Sequence, residues 1–193
     1  MRDLVVHGDD LIVATHGRSF WVLDDMTPLR QITDEVVRAD AYLFRPADAI
    51  NMAPGSENGT PQPRDEPLAE NPPFGAIIDY YLKGAAPGPV TLEILDPAGD
   101  VVRRYSSEER PTPVDPNTLS VQALWRPTPE PLSAAAGMHR WVWDLRPTPA
   151  PSAGRGGGPG GALVLPDVYT VRLTAGGKSY TQPLRVKMDP RVR

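Results

Sequence analysis

The chain has 193 residues, 24 of them Pro and 17 Gly, with no Cys and a net charge of −4. Pro and Gly together make up 41 of the 193, which works against a helical bundle because helix interiors tolerate neither residue. An apolar share of 40% is enough for one core and speaks against a wholly disordered chain, while a pI near 5.4 argues against nucleic acid as the main partner.

Residues 3–24 read as three short strands. Leu4-Val5-Val6, Leu11 to Thr15 and Ser19 to Leu23 are β-branched or aromatic runs. Gly8-Asp9-Asp10 and His16-Gly17-Arg18 supply the turns between them, the pattern of a β-meander. Asp24 to Pro28 is a further turn. Thr33 ahead of Asp34 and Glu35 suits an N-cap with acids in the first turn and predicts a short helix over 34–38. Ala41 to Phe44 reads as extended. Residues 46–73 form a long loop rich in Pro, Gly, Asn and acids, and Asn58-Gly59-Thr60 within it matches the glycosylation pattern.

Clear alternation begins at residue 74. Phe74, Ala76, Ile78, Tyr80 and Leu82 share one face; Ile77, Asp79, Tyr81 and Lys83 take the other. Val90, Leu92 and Ile94 alternate again, with Thr91 and Glu93 outward. Asp96 to Asp100 turns the chain into a returning strand, Val101 to Tyr105. Such alternation marks antiparallel sheet. Pro-rich sequence follows, and residues 131–136, stopped by Gly137, predict a short helix. Met138 to Leu145 is a strand with His139, Trp141, Trp143 and Leu145 on one face. The finish is a hairpin, Val168 to Thr174 and Ser179 to Met188, whose Gly176-Gly177 supplies the positive φ of a tight turn.

The expected architecture is therefore mostly β. An antiparallel β-sandwich of fibronectin III or immunoglobulin size occupies 74–190, with Pro/Gly-rich insertions at 106–137 and 146–166. A linker with a short helix and a long loop spans 34–73. The three strands of 1–33 are too few to be stable alone.

The segments Leu4 to His7 and Asp10 to Asp25, with ATHGRSFWVLDD at their centre, resemble the last blade of bacterial BNR-repeat, sortilin-like β-propellers, often described as glycosyl hydrolases. Thr27 to Gln31 is similar to the exit from that propeller. Asn71 to Ala76, Tyr80 to Lys83, Gly137 to Arg146, Tyr169 to Leu173, Tyr180 to Leu184 and Met188 to Arg191 resemble the C-terminal sandwich domain of the same proteins. The resemblance implies a three-strand propeller remnant followed by an accessory sandwich, with the rest of the propeller, in this or another chain, as partner. No Asp-box (Ser-x-Asp-x-Gly-x-Thr-Trp) occurs. The first segment offers Arg2, Arg18 and Arg30 but no Tyr, so the arginine cluster and Tyr/Glu pair of a sialidase-type site are not carried over. The resemblance leaves two further readings open: the tail of a glycosyl hydrolase whose active site lies in the propeller, and a carbohydrate-binding module.

Each candidate residue has a plain reading beside the functional one. Trp141 and Trp143 on one face could stack on sugar rings if exposed, or fill a core if buried. Tyr80 and Tyr81 point to opposite faces, so at most one joins a binding surface. Asp9, Asp10, Asp24 and Asp25 could hold Ca²⁺ or serve turns and caps. His16-Gly17-Arg18 could sit at a propeller mouth or merely connect strands. His7, His16 and His139 share no metal-ligand spacing. Gly154 to Gly161 lacks the Lys-Ser/Thr of a phosphate loop, and no nucleophile elbow is present. Arg-Pro-Thr-Pro recurs at 110–113, 126–129 and 146–149, either as polyproline ligands or as stiff spacers that discourage edge pairing. The expectation is no catalytic residue, cofactor or metal, with a polysaccharide or protein as the contact. No run of 18 apolar residues exists to span a membrane. The acids of MRDLVVHGDD stand where a signal peptide needs apolar residues, so the compartment stays open.

Overall fold

The computed structural model describes residues 2–17, 19–52, 73–110, 130–148 and 162–191. They are mostly β. In chain order the elements are β1 (Asp3–His7), β2 (Asp10–Ala14), β3 (Phe20–Leu23), α1 (Thr27–Arg30), α2 (Asp34–Arg38), β4 (Ala41–Leu43), β5 (Ala49–Asn51), β6 (Ala76–Leu82), β7 (Thr91–Leu95), β8 (Val101–Ser106), β9 (Gly137–Trp143), β10 (Asp167–Ala175) and β11 (Lys178–Met188). Three sheets result, with orders β1-β2-β3, β5-β11-β10-β7-β8 and β4-β6-β9.

The alternating residues do what their spacing demands. Ile78, Tyr80 and Leu82 of β6, Leu92 and Ile94 of β7, Val171 and Leu173 of β10, and Leu184 of β11 are all buried in one apolar cluster. That cluster draws on both the five-stranded sheet and the β4-β6-β9 sheet; together these two sheets are called the body below. Polar residues fill the other face of the larger sheet, where Arg172 Nη2 meets Glu93 Oε2 at 2.7 Å. The β10–β11 hairpin closes through Gly176 and Gly177 at φ +58° and +76°, the two left-handed positions that a two-residue turn of this type needs. Helix α2 begins where expected: the Thr33 side chain accepts a hydrogen bond from the Val36 amide.

Several expectations are corrected. Residues 34–73, read as a linker, supply β4 to one sheet of the body and β5 to the other, β5 lying parallel to β11. Thr27 and Pro28, read as the end of a turn that starts at Asp24, instead open the short helix α1, with Pro in its first turn. No helix forms over 131–136. The backbone there is used otherwise: Ser133 O accepts from the Tyr80 hydroxyl at 2.7 Å, Ala134 O from the Ala86 amide at 2.9 Å, and the Ala135 amide donates to Ser133 Oγ at 3.3 Å. These bonds hold the segment against β6 and the stretch that follows it. Gly137 opens β9 rather than ending a helix, and β9 stops at Trp143, since Leu145 is buried at φ +56°. Phe74 lies outside β6 and is exposed. Asn58 to Thr60, Arg18 and Gly154 to Gly161 lie outside the described residues.

Candidate functional site

Trp141 and Trp143 do share a face of β9, but that face turns to the core. Trp143 has no exposed surface. Its Nε1 donates to Arg146 O at 2.8 Å, and its ring meets Tyr169 edge-on at 5.5 Å. A fully covered indole cannot stack on a sugar, so Trp143 is corrected from glycan contact to core residue. Trp141 is partly buried against the same cluster, edge-on to Tyr105 at 4.9 Å. Trp141 Nε1 and Arg103 Nε are buried without a hydrogen-bond partner among the described residues. Burial pushes the Tyr105 hydroxyl above its ordinary range, and drives that of Tyr80 up to about 12 despite its bond to Ser133. Tyr80 is thus a core residue as well, while Tyr81 is partly exposed.

The N-terminal acids hold turns together. Asp10 Oδ1 accepts from the Asp25 amide at 3.0 Å, Asp25 Oδ1 accepts from the amide and hydroxyl of Thr27, and Asp9 pairs with Arg30. No group of three or more His, Cys, Asp or Glu side chains converges among the described residues. His139 tilts over Tyr80, its ring nitrogen 2.7 Å from Ala135 O; His7 ends β1 and His16 follows β2. Of the third Arg-Pro-Thr-Pro copy, residues 146–148 lie along the free edge of β8: the Thr148 amide donates to Val102 O at 2.9 Å and Arg103 Nη1 donates to Pro147 O at 3.4 Å. This segment covers an exposed sheet edge, the role expected of a spacer.

Two further arrangements stand out, of which the first, the Arg140 junction, was not singled out in the sequence. The first is a junction around Arg140. Its Nε and Nη2 donate to Asp79 Oδ1 and Oδ2 at 3.0 and 3.1 Å. Its Nη1 and Nη2 also donate to Asp24 O and Asp25 O, each at 2.8 Å. One guanidinium of β9 therefore ties the turn after β3 to β6, using a fork geometry that lysine lacks. Asp79 is almost wholly buried, and burial pushes its carboxyl above the usual range, with Arg140 pulling only part of the way back. A cleft of about 210 Å³ beside the junction is lined by Leu23, Met26, Leu29, Met138 and His139. The available signal was Asp79 itself, an acid in the middle of an otherwise apolar and aromatic strand.

The second arrangement is the β1-β2-β3 sheet. The register aligns Leu4 with Val13 and Trp21, and Val6 with Leu11 and Leu23, on one face. The other face carries Val5, Ile12 and Val22 in its middle row, Asp3, Ala14 and Phe20 in a row to one side, and His7 with Asp10 in a row to the other. The first face is apolar throughout these rows, and the second is apolar in its middle row with polar residues at the strand ends. In β1 and β3 these residues are 41–75% exposed, far more than a settled core residue. A larger cleft, of about 440 Å³, opens at one end of the body between the start of β4, the end of β6 and the β10–β11 hairpin.

No protein-family model matches the chain, and comparison with curated proteins and with solved structures likewise found no match. No helix among the described residues is long and apolar enough to cross a membrane.

Proposed function

We propose that this chain is a non-catalytic accessory unit of a larger β assembly. In this reading the two sheets that share a core are the layers of an antiparallel sandwich of the fibronectin III or immunoglobulin type. The β1-β2-β3 sheet is then the last blade of a BNR/sortilin-like propeller. One observation carries the reading: the middle of the small sheet is apolar on both faces, with Asp3, His7 and Asp10 standing only at strand ends of one of them. A sheet with one solvated face alternates apolar and polar residues, whereas a sheet covered on both sides does not. A propeller blade is covered on both sides by its neighbours, and Leu4, Val6, Trp21 and Leu23 on one face with Val5, Phe20 and Val22 on the other meet that requirement. The ATHGRSFWVLDD resemblance falls on the same three strands. The body would serve as support for the propeller or as its contact with a protein or glycan. If the parent hydrolyses a glycan, the catalytic groups belong to the covering layers.

The test is the company the sheet keeps in its source. An antibody against residues 74–188 is used on a denaturing gel, after photo-crosslinking from a reactive residue placed at Val5 or Val22. A native band far above 21.0 kDa, or a specific crosslink to a second β-rich chain, is the expected result. A band at that mass with no crosslink would overturn the proposal.

A further inference from the structure

We propose that the cleft at the end of the body binds a small polyhydroxylated carboxylate, of which a hexuronate is the type. The inference stands on that cleft alone and does not depend on the propeller reading. The cleft holds about 440 Å³, within the range of small-molecule sites. Its floor is apolar and rigid: Leu82 and Ala175 are buried members of the core, on opposite sheets. Tyr180 adds a partly buried ring to the wall. Three charged groups stand at the rim, Lys83, Lys178 and Asp40.

The charges choose the ligand. Lys178 Nζ lies 3.4 Å from Asp40 Oδ2, and Lys83 Nζ lies 3.5 Å from Arg38 O. Both contacts are at the long limit of hydrogen bonding, and an ammonium has three donors. Each lysine therefore keeps donors to offer an incoming anion. Two cations and one anion leave the rim one positive charge in excess, which a monocarboxylate neutralises. A simple aliphatic carboxylate would bring a like charge towards Asp40 and offer it no donor beyond its long contact with Lys178. A ligand that also carries hydroxyls gives Asp40 its donor, while the C–H face of a sugar ring suits the Tyr180 ring and the apolar floor. The carboxylate would sit between Lys83 and Lys178, with a hydroxyl on Asp40.

The experiment is a titration of the isotope-labelled full chain with glucuronate, followed by amide chemical shifts. Glucose and propionate serve as controls that lack the carboxylate and the hydroxyls respectively. Saturable shifts at Ala41, Lys83, Ala85 and Gly176, absent with both controls at the same concentration, are expected. Lys178→Ala and Lys83→Ala, both at exposed positions, should each weaken binding by about tenfold, the loss of one charge-assisted contact, with the remaining amide spectrum unchanged. Absence of saturable shifts with glucuronate would overturn the proposal. So would equal shifts with glucose or propionate, or binding indifferent to both lysine substitutions.

Discussion

Replacing Arg140 by Ala tests the junction most directly. Asp79 side-chain exposure is 6% and that of Arg140 is 36%, so the substitution leaves a buried carboxylate without its counter-ion and two turn carbonyls without their donor. Breaking a fully buried pair from one side costs about 3–5 kcal/mol. The partial exposure of Arg140 admits solvent and reduces this to about 2–3 kcal/mol at neutral pH. Asp79→Asn removes the charge that burial opposes and keeps an acceptor, so it should cost under about 1 kcal/mol. The double variant should fall well short of the sum of the two. The pH dependence has a definite sign. Burial already raises the Asp79 carboxyl in the folded chain, and losing Arg140 removes the influence that lowered it. A carboxyl raised on folding favours the folded state below its unfolded pKa, and that contribution is lost as pH rises through the folded value. The Arg140→Ala deficit should therefore shrink as pH falls from about 7 towards about 4. Urea denaturation of the four proteins across that range is the assay. A deficit independent of pH, or Asp79→Asn as costly as Arg140→Ala, would refute the reasoning.

Gly75 sits at φ +129°, and a Cβ there would lie 2.1 Å from Trp143 O; Gly75→Ala should cost more than about 3 kcal/mol, read by thermal unfolding, because backbone must move where β6 meets β9. Trp143→Ala should cost about 3–5 kcal/mol as a core truncation, and an unchanged melting temperature would show that the indole is not buried. Tyr80→Phe should cost about 1 kcal/mol, the hydroxyl bond to Ser133 O, without altering far-ultraviolet circular dichroism. Val22→Lys on the exposed face of β3 should change the stability of the isolated chain by less than about 0.5 kcal/mol while abolishing crosslinking to a covering layer. Loss of folding instead would mean that the face is already covered within the chain.

The body was legible wherever a strand exceeded five residues, because there the period of two separates core from surface without knowledge of the partner strand. β6, β10 and β11 all qualify. The short strands were harder. Ala49-Ile50-Asn51 has no alternation to read, and β5 exists because β11 is long enough to offer it a parallel edge. The Ala-rich run 134–136 favours helix locally, yet strand β6 and the segment after it claim the carbonyls of Ser133 and Ala134. Local propensity lost to long-range hydrogen bonding, as it does when the competing partners sit on a rigid sheet.

Individually, β1, β2 and β3 read as ordinary strands of four or five residues. Only the register shows that Leu4, Val13 and Trp21 stand in one row and Val5, Ile12 and Val22 in the next. Both middle rows lack polarity, with Asp3, His7 and Asp10 left at strand ends, a property of the pairing that no single strand displays. The same holds for Arg140: its sequence neighbours Trp141 and Trp143 drew attention as the aromatic pair, yet the alternate position on β9 carries the contact. Arg140 faces away from the core, opposite Asp79 in the register, and so meets the turn that follows β3. The face of β9 that looked functional packs against the core, and its opposite face ties down the turn that follows the small sheet. If the sheet is covered on both sides as proposed, holding it at one angle with a two-pronged side chain lowers the cost of assembly, since a swinging sheet would have to be ordered again each time its covering layers joined it.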